Sequence, residues 1–139
     1  MLIPSYEQLP ILSSKEKIIK SINRSQCVII RGETGSGKTT QVPLYILDDA
    51  VHRKLPCNIL VTQPRKIAAR TVSQRLTERS ERWRGTPLPN IVGYHVGLDK
   101  CVHPNTRITY TTPGIISRKM HKDRNLQGIT HLIIATVPL

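Results

Sequence analysis

Acidic residues are scarce in this chain. There are 9 Asp and Glu against 21 Lys and Arg, a formal net charge of +12 and a pI near 10.2. That balance excludes an acidic solvating tail and favours a polyanionic partner, because each neutralised phosphate releases counterions. Long apolar runs are missing too: none approaches the ~20 residues that span a bilayer. The first residues, Met1-Leu2-Ile3-Pro4-Ser5-Tyr6-Glu7, lack a basic stretch ahead of an apolar core, so no signal peptide is expected. Cysteine is limited to Cys27, Cys57 and Cys101, an odd number whose spacings of 30 and 44 residues match no zinc motif. A reducing compartment follows, cytoplasmic or nuclear. Repeats and low-complexity tracts are absent. With 139 residues, the chain has room for one domain.

The basic excess is uneven. Residues 1–50 carry 6 Lys and Arg and 5 acids, whereas residues 61–90 carry 7 and 2, and residues 91–139 carry 6 and 2. A solvated helix face is the plain explanation for such a bias. The same stretch also carries motifs, which makes a binding role the better reading.

Apolar periodicity lays out alternating elements. Ser13 and Glu16 read as a capping box for a helix with Ile18, Ile19 and Ile22 on one face. Cys27-Val28-Ile29-Ile30 reads as a short buried strand. A glycine-rich loop and a helix over residues 38–53 follow, with Pro43 inside the helix. Further strands are expected at residues 58–62, 91–95, 107–111 and 131–135, and helices at 66–79 and 113–121. In the first of those helices Ile67, Val72 and Leu76 mark the buried side. Strands alternating with helices predict an α/β fold with a mostly parallel sheet.

Gly32-Glu33-Thr34-Gly35-Ser36-Gly37-Lys38-Thr39 fits the phosphate-loop pattern G-x-x-x-x-G-K-[ST], with an apolar run before it and a helix after it. The glycines let the loop curl with its N–H groups inward, an anion nest reinforced by the following helix N-terminus. Lys38 has the reach for the β- and γ-phosphates, and the Thr39 hydroxyl is suited to Mg²⁺. Such a loop specifies nucleotide binding and leaves the reaction open. Two later segments narrow it: Thr62-Gln63-Pro64-Arg65-Lys66 closes one strand, and Thr111-Thr112-Pro113-Gly114 closes another. Ligands of open α/β sheets gather at strand C-termini. Arg65, Lys66 and the Thr112 hydroxyl are donors suited to a sugar-phosphate backbone.

This set resembles the first RecA-like domain of DEAH-box (DEAH/RHA) superfamily-2 RNA helicases, over nearly the whole chain. Residues 32–40 look like motif I, Thr62 to Lys66 like motif Ia, and Thr112-Pro113-Gly114 like motif Ib. The run Cys57-Asn58-Ile59-Leu60-Val61-Thr62-Gln63-Pro64-Arg65-Lys66-Ile67 is most similar to the Tudor-domain helicases of the spindle-E type. The resemblance implies a P-loop NTPase domain over residues 25–139, after a lead-in segment over 1–24. It implies ATP held by Gly32, Glu33, Thr34, Gly35, Ser36, Gly37, Lys38, Thr39 and Thr40, with Mg²⁺ on Thr39. Arg75 matches a position where the family stacks an arginine on adenine. RNA would be contacted by Arg65, Lys66 and Thr112. Pro113 departs from the residue usual in DEAH proteins and matches the T-P-G of the DEAD-box group.

The next family motif, Asp-Glu-x-His, should follow the strand His131-Leu132-Ile133-Ile134. Ala135, Thr136, Val137 and Pro138 stand there instead. Ala135 cannot ligate a metal and Thr136 is a poor general base. No catalytic residue is intact, and the second RecA-like domain is not in this sequence. The expectation is an ATP- and RNA-binding part of a helicase, truncated at motif II and without turnover of its own. The alternative is a non-catalytic short isoform acting by competition or interaction.

Overall fold

The computed structural model describes residues 14–30, 38–83 and 90–135, and the side chains of Lys38, Arg75 and residues 77–83 are not among them. The chain divides into two compact units, Met1–Leu55 and Pro56–Leu139.

The first unit contains α1 (Lys15–Arg24) and α2 (Lys38–His52), packed on each other. Polar contacts pin the pair at both ends. The Lys15 ammonium sits 3.1 Å from Asp48 Oδ2 and 5.4 Å from the centroid of the Tyr45 ring. At the other end Arg53 donates to Asp49 at 2.8 Å and to Asn23 Oδ1 at 3.0 Å. The helix begins one residue later than the capping box requires. Ser14 takes the N-cap position without a side-chain cap bond, so Glu16 is the second helical residue rather than the third. Ser13 lies outside the described residues. Residues 27–30 form no strand: no described backbone group pairs with them, and Ile29 is 82% exposed. Apolar character alone does not make a strand without a ladder partner, and the expectation of a strand there is corrected.

The second unit is a sheet with helices. Among the described residues its strands are β1 (Ile59–Thr62), β2 (Val92–Val96), β3 (Asp99–Cys101), β4 (Ile108–Thr111) and β5 (His131–Ile134), in the order β3-β2-β4-β1-β5. The neighbours β2/β4, β4/β1 and β1/β5 are parallel, and β3 is antiparallel to β2. This is the expected mostly parallel α/β sheet. β1 and β4 are central, and every residue in both is buried, as strands covered on two faces must be. Full burial of each large apolar side chain in them, such as Ile59 and Ile108, contributes about 1.5–3 kcal/mol. Burial also pushes the Tyr110 phenol well above its ordinary range.

Two helices follow the central strands. α3 (Lys66–Trp83) packs against β2 and β4 and runs beyond the expected end at residue 79. Its buried side is Ala69, Ser73 and Leu76, an i, i+4, i+7 row. Ile67 lies two residues off that row, on the opposite side of the helix, and is 81% exposed, so its expected burial is corrected. α4 (Pro113–Lys122) opens with Pro at its first position and buries Ile115 and Ile116.

A polar clasp starts β5. Asn58 N–H donates to Thr130 Oγ1 at 2.8 Å, that hydroxyl donates back to Asn58 O at 3.0 Å, and Asn58 Nδ2 donates to Gly128 O at 3.0 Å. The Cys57 thiol lies in the same place, its pKa raised by burial against the opposing effects of Thr130 and Arg107. No described helix is long and apolar enough to cross a membrane.

Candidate functional site

The C-terminal ends of β1 and β4 lie side by side. Their parallel register pairs Thr62 with Thr111, and the N–H of Gln63 donates to Thr111 O at 2.7 Å just past the strands. Pro64, with no N–H and a fixed φ, stops β1. The chain then turns directly into α3, whose Ala69 N–H donates to Arg65 O at 3.1 Å. Beside it, Thr112 is the N-cap of α4 in extended conformation, and its side chain makes no capping bond. Motif Ia and motif Ib therefore share one rim.

The electrostatics of that rim are one-sided. Neither α3 nor α4 carries an acidic residue in its first turn, where acids are normally favoured by the helix dipole. Arg65 and Lys66 stand at the start of α3 instead, both exposed. Cations at a helix N-terminus work against the dipole, so two of them there create a local field that an anion relieves. A Cβ at Gly97 would sit 3.0 Å from Lys66 Nζ, which places the ammonium against the turn between β2 and β3.

That turn and β3 were not evident in the sequence. Gly97 has a φ of +56° and occupies the first turn position between Val96 and Asp99, where primed hairpin turns need a positive φ. Val96-Gly97-Leu98-Asp99 carries that signal, a glycine between a strand end and a polar residue. The hairpin is clamped to α3 by an ion pair between Arg70 and Asp99, and the Arg70 guanidinium lies 5.4 Å from the Tyr94 ring centroid.

Gly32, Glu33, Thr34, Gly35, Ser36 and Gly37 lie outside the described residues. Lys38, Thr39 and Thr40 form the first residues of α2, which has no acid in its first turn. Gln41 is fully buried and its Nε2 donates to Thr40 Oγ1 at 3.5 Å. Arg75 lies on α3, with its side chain outside the described residues. No described cluster of three His, Cys, Asp or Glu side chains could hold a metal ion. Ala135 follows β5, and its N–H donates to Thr62 Oγ1 at 3.0 Å. Its methyl group offers no ligand atom at that point of the rim. Thr136, Val137 and Pro138 lie outside the described residues.

The comparisons with known proteins agree with this geometry. The chain is 42% identical over 129 residues to the probable ATP-dependent RNA helicase spindle-E of Aedes aegypti, covering 93% of the chain and 9% of that protein. It is 42% identical over 132 residues to the ATP-dependent RNA helicase TDRD9 of Homo sapiens, covering 95% and 9%. The chain thus spans about a tenth of the length of these relatives. The crystal structure of the Escherichia coli DEAH/RHA helicase HrpB superposes with a TM-score of 0.78 at 31% identity, over 91% of this chain and 15% of that one. The sheet and helices match a RecA-like helicase domain, and the DEAD/DEAH box helicase family profile matches residues 13–135: the chain belongs to the DEAD/DEAH box helicase family.

Proposed function

We propose that this chain is the ATP- and RNA-contacting part of the first RecA-like domain of an ATP-dependent RNA helicase, with residues 25–139 as the helicase portion and 1–24 as its lead-in. The observation that carries this reading is the shared rim, where Gln63 joins Thr111 at 2.7 Å and brings Arg65 and Lys66 beside Thr112. Two ammonium or guanidinium donors and a hydroxyl in a row suit successive phosphates of a single strand, which would be gripped by its backbone. The names of the relatives point to RNA as that strand.

Nucleotide binding rests on the motif Gly32 to Thr40, in which the family resemblance gives the phosphates to Lys38; the same resemblance gives adenine stacking to Arg75. Mg²⁺ fits this chain poorly. Thr39 is its only assigned ligand, and Ala135 replaces the carboxylate that would complete the set. Bound Mg²⁺ would be held through nucleotide phosphates and the Thr39 hydroxyl alone. Phosphoryl transfer needs charge positioned around the γ-phosphate, so the chain binds without turning over. A polypeptide with this sequence would act by competing for RNA or for nucleotide.

The test is fluorescence anisotropy of a labelled single-stranded uridine oligonucleotide over a range of salt, with ATP turnover measured alongside. Binding that weakens with salt, and weakens further in Arg65→Ala/Lys66→Ala, supports the reading. Salt-independent binding or none, or ATP hydrolysis abolished by Lys38→Ala, refutes it.

A further inference from the structure

The sheet face opposite α3 gathers cations around a half-buried histidine. The ladders β3–β2 and β2–β4 put Lys100, His95 and Thr111 in one row. Alternation along β2 turns His95 away from Tyr94, which faces Arg70 of α3. Arg118 and Lys119 of α4 both act electrostatically on His95, as Lys100 does. Lys119 is half-buried, and burial together with Lys100 holds its ammonium below the ordinary lysine range. β4 contributes Thr111, which is uncharged. None of the ion pairs formed among the described residues involves Lys100, Arg118 or Lys119. The two nearest carboxylates in sequence are engaged elsewhere: Asp99 with Arg70, and Asp123 with the N–H groups of Asn125 and Gln127.

A second observation concerns the histidine itself. The Nδ1 of His95 is buried and has no hydrogen-bond partner in the structure. An orphaned buried nitrogen is costly, and so are like charges held together without a counter-charge. One anion with several acceptor oxygens supplies the counter-charge, accepting from two ammonium groups and a guanidinium together, and its charge favours the protonated imidazole beside them. Phosphate has that shape and charge.

We propose that His95, Lys100, Arg118 and Lys119 form a phosphate-binding site, occupied in an RNA complex by a backbone phosphodiester beyond those held by Arg65, Lys66 and Thr112. The placement supports that source. His95 pairs with Thr111, next to Thr112, and lies two residues from Gly97, where the Lys66 ammonium rests. The identity of the anion as RNA rests on the functional reading above; the phosphate chemistry of the cluster stands without it. None of these four residues belongs to the motifs that identified the family.

The experiment is NMR titration of the His95 imidazole in the full chain, with inorganic phosphate and separately with a single-stranded uridine oligonucleotide. Both are expected to raise the titration midpoint of His95. In parallel, Lys100→Ala/Lys119→Ala should reduce the slope of log K against log salt by about 0.7, the loss of one single-strand phosphate contact, while Lys122→Ala leaves it unchanged. An oligonucleotide that binds through Arg65 and Lys66 without moving His95 overturns the RNA assignment and leaves the functional reading standing. A His95 midpoint indifferent to phosphate as well overturns the site. A wild-type chain that binds no RNA refutes the functional reading, and the response to phosphate still decides the site.

Discussion

Gly93 is the position at which a single methyl group should do most damage to the hairpin beside the rim. A Cβ built there would lie 2.3 Å from the Cys101 carbonyl oxygen and 3.3 Å from Thr106 Cγ2. Ordinary C···O contacts between strands are about 3.3–3.6 Å, so β2 and β3 must part by about 1 Å to admit it. The obstructing atom is backbone and cannot rotate aside. Overpacking of this kind costs about 1–3 kcal/mol. Replacing glycine also restricts the unfolded chain, which returns about 0.4–1 kcal/mol. Gly93→Ala is therefore expected to destabilise by about 1.3 kcal/mol, from the mid-range values of those two effects. Gly114 is the matched control: it is the second residue of α4, and a Cβ there meets nothing within 4 Å. Gly114→Ala should stabilise by about 0.5–1 kcal/mol, the usual gain for alanine in a helix. Urea unfolding followed by far-ultraviolet circular dichroism reads both. The same chemical change should give opposite signs, with a gap of about 2 kcal/mol. A Gly93→Ala chain as stable as wild type would refute the close approach of β2 and β3.

The clasp at β5 offers a second test: Thr130→Val keeps the shape but removes the hydroxyl that both accepts from and donates to Asn58, so a loss of about 1–2 kcal/mol in the same urea assay is expected. Thr62→Val removes the acceptor of the Ala135 N–H, and the expected outcome is faster hydrogen exchange at Ala135 with the amides of β4 unchanged. His95 is held below its ordinary range by burial, then by Lys100, Lys119 and Arg118. As pH falls, the unfolded chain takes up the proton first, so the stability carried by neutral His95 is present above about pH 6.5 and is lost as pH drops through the lower folded value. His95→Gln should flatten that acid-side fall in the urea midpoint; an unchanged profile would show that other groups cause it.

The central sheet was legible because its strands are short runs rich in β-branched and aromatic residues, closed soon after by proline. Asn58-Ile59-Leu60-Val61-Thr62 before Pro64, and Arg107-Ile108-Thr109-Tyr110-Thr111 before Pro113, have no helical period to compete with. The motif residues at their ends came with them, since a parallel sheet sends every strand end to one rim. Three things were not legible. Residues 27–30 have the same apolar composition as β1, yet pairing depends on a partner that local sequence does not specify. Ile67 has an apolar side chain at the first turn of α3, but the side of a helix that meets a sheet is set by the docking angle, not by hydropathy alone. β3, Asp99-Lys100-Cys101, is short and polar, and only its pairing with β2 makes it a strand.

Ala135 separates two things that usually travel together, the path of a strand and the chemistry at its end. The N–H of residue 135 is held by the Thr62 hydroxyl, an interaction that uses only backbone on one side and therefore accepts any side chain at that position. β5 keeps its register with β1 from His131 to Ile134 whether or not an acid follows. The backbone at the end of β5 is thus indifferent to the side chain at position 135. Similarity in fold measures backbone, so a TM-score of 0.78 to the Escherichia coli DEAH/RHA helicase HrpB is compatible with any side chain at position 135, here alanine. By contrast, the rim cations Arg65 and Lys66 stand just before and at the first residue of α3, which Arg70 ties to the hairpin through Asp99 and Tyr94. Their placement depends on packing within the same unit and not on position 135. The end of β5 and the rim residues Arg65, Lys66 and Thr112 are therefore held by separate contacts, and a change of side chain at position 135 is not expected to displace them.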